Sequence, residues 1–177
     1  MNWATDILQF WFEELAPKDW WTKSDALDNR IKERFFELWE EQKSGVADDF
    51  LGSADTALAA IILFDQFPRN MFRGEADAFS TDHFAVQIAD KAVALELDQQ
   101  LNEEQRAFVY MPFMHSEDLQ DQNKCVTLFT RLGSNERHAN AHRDVIAKFG
   151  RFPHRNSLLG RAMRPGEQDA IDAGAGW

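Results

Sequence analysis

The chain has 177 residues and a formal charge of −11. That length suits one domain with a real core, and the acidity excludes a general binder of nucleic acid or of an anionic membrane surface. Fifteen Phe and six Trp against a single Tyr supply more apolar area than a disordered chain carries.

The apolar pattern is helical from end to end. Ile7, Trp11 and Leu15 recur every four residues, and Leu27, Ile31, Phe35 and Leu38 predict a second helix over about 25–43, closed near Gly45. Ser53 caps a third helix over about 54–66. Its centre, residues 57–64, is apolar on every side, which predicts a helix surrounded by protein. Ser80 or Thr81 starts a fourth helix carrying Phe84, Ile88, Ala92 and Leu95. Asn102 with Gln105 forms a capping box for a fifth, which Pro112 is expected to end at about Met111. Ser116 is the expected start of a sixth helix to about Leu132, and Ser134 of a seventh that turns Ala141, Val145, Ile146 and Phe149 inward before Gly150. A short helix over about 165–173 and a loose tail at about 174–177 complete the chain. No alternating pattern and no linker interrupt it. The expectation is one all-α domain, residues 1–177, of antiparallel helical pairs.

One phrase occurs almost twice. Residues 64–74 read Phe-Asp-Gln-Phe-Pro-Arg-Asn-Met-Phe-Arg-Gly, and residues 149–161 read Phe-Gly-Arg-Phe-Pro-His-Arg-Asn-Ser-Leu-Leu-Gly-Arg. Proline turns the preceding residue away from helix and suits a new first turn, so each phrase should end one element and start another. Asp65 lies at the negative end of a buried helix and needs a cation, for which Arg69 is in reach. It is either half of a buried ion pair or a carboxylate tuned for chemistry. Around the second phrase the charge reverses. Residues 131–164 hold eight Arg or Lys against Glu136 and Asp144, a local +6 that leaves −17 to the rest. Either the two parts pair internally or the cations form an anion pocket.

A third polar stretch is His115-Ser-Glu117. Ser116 serves as a cap, whereas His115, with an acid two residues on, could move a proton. His138 and His142 have helical metal spacing but lack a glutamate or cysteine partner, so no metal is expected. No glycine loop cradles a phosphate, and no cofactor is expected. Cys125, the only cysteine, reads as packing. A lone cysteine, no basic-then-apolar leader and no apolar run of bilayer length make a cytoplasmic protein the expectation.

Leu8-Gln-Phe-Trp-Phe12, Asp19-Trp-Trp21, the 65–74 phrase, Tyr110-Met-Pro-Phe-Met-His-Ser-Glu-Asp118 and the 149–161 phrase together resemble one bacterial family, the domain of unknown function nine-two-four. The resemblance implies an all-helical fold similar to tetratricopeptide-repeat proteins and no established activity. The chain departs from the family at 162–168, where Ala-Met-Arg-Pro-Gly-Glu-Gln lacks the usual hydroxyl cap and Gly166 weakens the last helix.

These residues define the candidate site. Arg69, Asn70, Arg151, Arg155 and Asn156 would hold a small anionic molecule. His115 or His154 would carry a proton, with Glu117 or Asp65 orienting it. Two other readings stand beside it: a groove for a peptide, with Trp20, Trp21 and Trp39 as anchors, and a clamp in which the polar groups only satisfy one another.

Overall fold

The computed structural model describes residues 2–176. The described residues form α-helices with short 3-10 or π-helical turns between several of them, and no strand. It divides into two compact units between Pro112 and Phe113; that point falls inside a helix rather than in a linker.

In the first unit, α1 (Trp3–Gln9) runs into a π-helical turn, Phe10–Glu14. Ser24 caps α2 (Asp25–Gln42) by accepting from Leu27 N, and the helix buries Leu27, Ile31, Phe35 and Trp39. The last inward position is Trp39 rather than Leu38, because the four-residue repeat continues unbroken. Ser53 Oγ caps α3 (Ala54–Ile61) through Thr56 N, 3.1 Å away, and residues 57–64 are sealed on all sides as their composition requires. Helix α3 packs against both α1 and α5 (Asp82–Ala94), and α2 packs against α4 (Phe67–Met71). Aromatic rings fill the space between them. Phe35 stacks on Phe67 with centroids 4.6 Å apart, and Phe10 and Trp11 meet those rings edge-on.

Helix α6 (Glu103–His115) opens on the predicted box, with Gln105 N donating to Asn102 Oδ1 and Asn102 N to Gln105 Oε1. It does not end at Met111. Pro112 sits within it, and every residue from 107 to 114 is buried. Burying that run outweighs the one hydrogen bond and the local clash that an internal proline costs, about 3 kcal/mol.

In the second unit, α7 (Leu119–Leu132) pairs with α8 (Glu136–Phe149) across Gly133, whose φ of 73° closes the first helix. Two expected caps are corrected. Because α6 extends to His115, Ser116 is too early to cap α7. Asp118 does so, accepting from Gln120 N at 2.6 Å, while Ser116 Oγ donates to Asp121. Asn135, in the left-handed region, precedes α8 in place of Ser134. Gly150, at φ 68°, ends that helix as expected. Ala139, His142 and Ile146 are its buried face, while Ala141, Val145 and Phe149 are only half-buried. Cys125 is fully buried against solvent, and burial pushes its thiol up to about 12. Helix α9 (Glu167–Asp172) is shorter than the expected 165–173, since Gly166 turns left-handed just before it. The tail is tied down as far as Ala175, whose N–H donates to Ala170 O at 3.0 Å; Trp177 lies outside the described residues.

Candidate functional site

The first phrase does not break the chain as proline suggested. Helix α3 widens into a π-helical turn, Ile62–Gln66, and α4 follows directly with Pro68 in its first turn. The carbonyls that the proline leaves without a backbone donor find side chains instead. Thr81 Oγ1 donates to Phe64 O at 2.7 Å, and Arg69 Nη1 donates to Asp65 O at 2.5 Å. Thr81 therefore spends its hydroxyl on Phe64 and makes no cap for α5.

Asp65 is completely buried. Its carboxylate accepts from Gln66 Nε2 and lies 3.4 Å from Arg69 Nη1. Arg69 also forks onto Asp82 at 2.7 and 2.9 Å. Burial acts against the Arg69 charge, but Asp82 and Asp65 outweigh it and hold its proton more tightly than usual. Asn70 and Arg73 both donate to Asp28, by 2.8 Å and by 2.5 and 2.8 Å contacts. Each polar side chain of the first phrase is thus engaged by a partner within its own unit.

The second phrase follows Gly150 and forms a 3-10 turn, Pro153–Arg155. Phe152 is its hub. Its N–H donates to Glu117 Oε1 at 2.7 Å, and Arg161 ties the two together by donating to both Glu117 oxygens and to Phe152 O. Burial works to raise the Glu117 pKa, but Arg161 and the Phe152 N–H prevail and hold it low. The Phe152 ring is flanked by His142, by His154 and by the Arg155 guanidinium, 4.6 Å from its centroid. His142 Nδ1–H donates to His138 O at 2.8 Å. Burial, aided by the charges of His115, His154 and Arg155, pushes the His142 pKa down to about 3.

Arg151 and Asn156 converge on a residue that sequence reasoning did not single out. Glu167 is completely buried. It accepts from Arg151 Nε at 2.7 Å, Arg151 Nη2 at 2.8 Å, Asn156 Nδ2 at 3.0 Å and Arg164 N at 2.7 Å. The Arg151 fork, more than the opposing burial, holds its pKa down at about 2. Its only sequence signal was an acid two residues after Pro165, in a segment of weak helical pattern. Asp98 was also passed over. It is buried and accepts from Tyr110 OH and Gln99 Nε2, both at 2.6 Å.

The predicted residues thus fall into two built clusters, Asp65, Arg69 and Asn70 in the first unit and His115, Glu117, Arg151, His154, Arg155 and Asn156 in the second. A cleft of about 440 Å³ in the first unit involves none of them; Phe36, Trp39, Lys43, Phe72, Thr81 and His83 are among its walls. Of the three tryptophans, Trp39 is buried, Trp20 half-buried and Trp21 65% exposed.

The family model described as "Bacterial protein of unknown function (DUF924)" matches residues 7–175. Among solved structures, a protein of unknown function from Agrobacterium tumefaciens is similar, with a TM-score of 0.91 and 40% identity over 97% of each chain. No curated protein matches the chain.

Proposed function

The chain belongs to the DUF924 family of bacterial proteins of unknown function, and we propose that it binds a small anionic molecule through the second phrase. The observation that carries this reading is the cradle around Glu167. An arginine fork and an asparagine amide, all but closed to solvent, already surround one carboxylate with the donor set that recognises such a group. Arg155 and His154 lie on the 3-10 turn between Arg151 and Asn156, and Arg155 brings a further guanidinium to it. Glu117 serves the site by holding the Phe152 N–H and Arg161, which fixes the turn that presents Arg151 and Asn156. Should a reaction accompany binding, half-buried His115 and His154 are the proton carriers.

The first phrase is read as a clamp. Asp65, Arg69 and Asn70 satisfy neighbouring side chains and the carbonyls around Pro68, which supports a role in holding helices. A second reading, a peptide-binding module, has one observation in its favour, the exposure of Trp21 stacked against Phe108.

Titration of the full chain with sodium phosphate and sodium acetate, followed by the NMR signals of the arginine Nε–H groups, tests the proposal. Saturable shifts at Arg151 and Arg155 are expected. His154→Ala should weaken them while the melting temperature holds. Silence in both titrations, together with a stability loss of about 2–4 kcal/mol in His154→Ala, would leave the clamp as the account of both phrases.

A further inference from the structure

We infer that the Glu167 carboxylate is an internal stand-in for the ligand, a small carboxylate with a hydrogen-bond donor on its neighbouring carbon, and that the C-terminal segment lifts to admit it. This rests on the anion-binding reading above and names its ligand class and its gate.

The cradle and its occupant differ in how they are held. Arg151 and Asn156 are buried in a turn pinned from several directions. Phe152 N donates to Glu117, Asn156 N to Pro153 O, and Arg161 N to Asn156 O. The segment that delivers Glu167 is held by much less. Residues 162–166 are exposed, and within α9 Glu167 alone is buried; Ala170 and Ile171 are half-covered. Beyond α9 the small side chain of Ala175 is tucked in. An element with so little apolar burial draws its attachment from its polar anchor, which places it at the low-stability end of the structure. Exchanging the Glu167 carboxylate for another conserves the Arg151 fork and the Asn156 hydrogen bond; what lifting gives up is the tether, the Arg164 N–H on Glu167, and the contacts of Arg151 with Ala162 O and of Asn156 with Met163 Sδ.

Asn156 sharpens the chemistry. Its Nδ2 serves Glu167, and among the described residues nothing donates to its Oδ1, although the side chain is 1% exposed. The amide cannot be reversed to relieve this, because its oxygen would then face a carboxylate oxygen. A buried acceptor left without a donor is costly. Glutamate has no donor on the carbon next to its carboxylate, whereas a 2-hydroxy or 2-amino acid does. The Glu167 side chain thus reproduces half of what the cradle is built to hold.

Lactate, propionate and inorganic phosphate serve as probes on the wild-type full chain and on Glu167→Ala, by calorimetric titration. Removing a tethered competitor should tighten lactate binding at least about tenfold, and propionate, which lacks only the hydroxyl, should bind more weakly than lactate. In the wild type, saturating lactate should speed hydrogen exchange of the amides of residues 168–172. Equal lactate affinity in the two proteins, or no preference over propionate, overturns the inference; if phosphate or propionate still shifts Arg151, the anion-binding reading survives without it. If no probe binds either protein, that reading itself fails. Should Glu167→Ala not fold, Glu167→Gln takes its place, and unchanged exchange in the wild type under saturating lactate is enough to overturn the gate.

Discussion

The two copies of the phrase share Phe-Pro, Arg-Asn and a glycine beside arginine, yet they solve different problems. The first is set in a run of residues that are almost wholly buried, and its polar groups repair the helix around Pro68: Thr81 and Arg69 replace the missing backbone donor, and Asp82 and Asp28 absorb the arginines. The second lies at an exposed glycine stop and gathers its arginines onto two carboxylates, Glu117 and Glu167, one of them carried by a lightly attached segment. A motif that repeats in sequence can therefore serve as scaffold in one place and as a receptor for a charged group in another. What decides is whether its partners belong to packed helices or to an element that can leave.

The sharpest test of that contrast is Arg69→Ala. It removes the cation that the fully buried Asp65 shares with Asp82, and breaking such a network should cost about 3–5 kcal/mol in urea unfolding. A loss below 1 kcal/mol would show that the first phrase is no clamp. Thr81→Val, which keeps the shape and removes the donor to Phe64 O, should cost about 1–3 kcal/mol by the same measurement.

The second cluster should respond to pH instead. His142 has a folded pKa near 3 against an ordinary 6.5, so between these values the unfolded chain binds the extra proton. Its contribution to stability is intact above pH 6.5 and is lost as pH falls toward 3. His142→Gln should flatten the thermal-stability profile between pH 6.5 and 4.5, and an unchanged slope would place the acid sensitivity elsewhere. Glu167 acts in a lower window. Its folded pKa near 2 lies below the usual 4.5, so its stabilisation is present above pH 4.5 and lost as pH falls toward 2. Glu167→Gln at neutral pH removes the charge that this low pKa rests on and leaves the Arg151 guanidinium without its counter-charge, so it should cost about 2–3 kcal/mol in urea unfolding and remove the pH dependence below 4.5.

Much of the helical framework was legible beforehand for local reasons. Ser53, the Asn102–Gln105 box and Gly150 act through atoms only a few residues away, so their effects survive in any context. The errors came where tertiary burial overruled local signals. Pro112 should stop a helix, but the buried run on either side of it carries α6 on to His115, and that displaced the start of α7 from Ser116. The candidate site was half legible. Arg, Asn and His crowding marked the donors, because such residues have few other reasons to cluster. Glu167, the acceptor that organises them, stands 16 residues from Arg151 in a segment with little periodicity, and nothing local marks it.

By itself the sequence determined that this chain is helical, where most of its helices begin and end, and which phrases hold its unusual polar groups, since caps, periodicity and composition act over a few residues. Only the tertiary structure decided what those groups do. Arg151 and Glu117 take their partners from 16 and 44 residues away, the Arg69 beside Asp65 is itself engaged by the distant Asp82, and a charge takes its role from whichever charge the fold sets beside it.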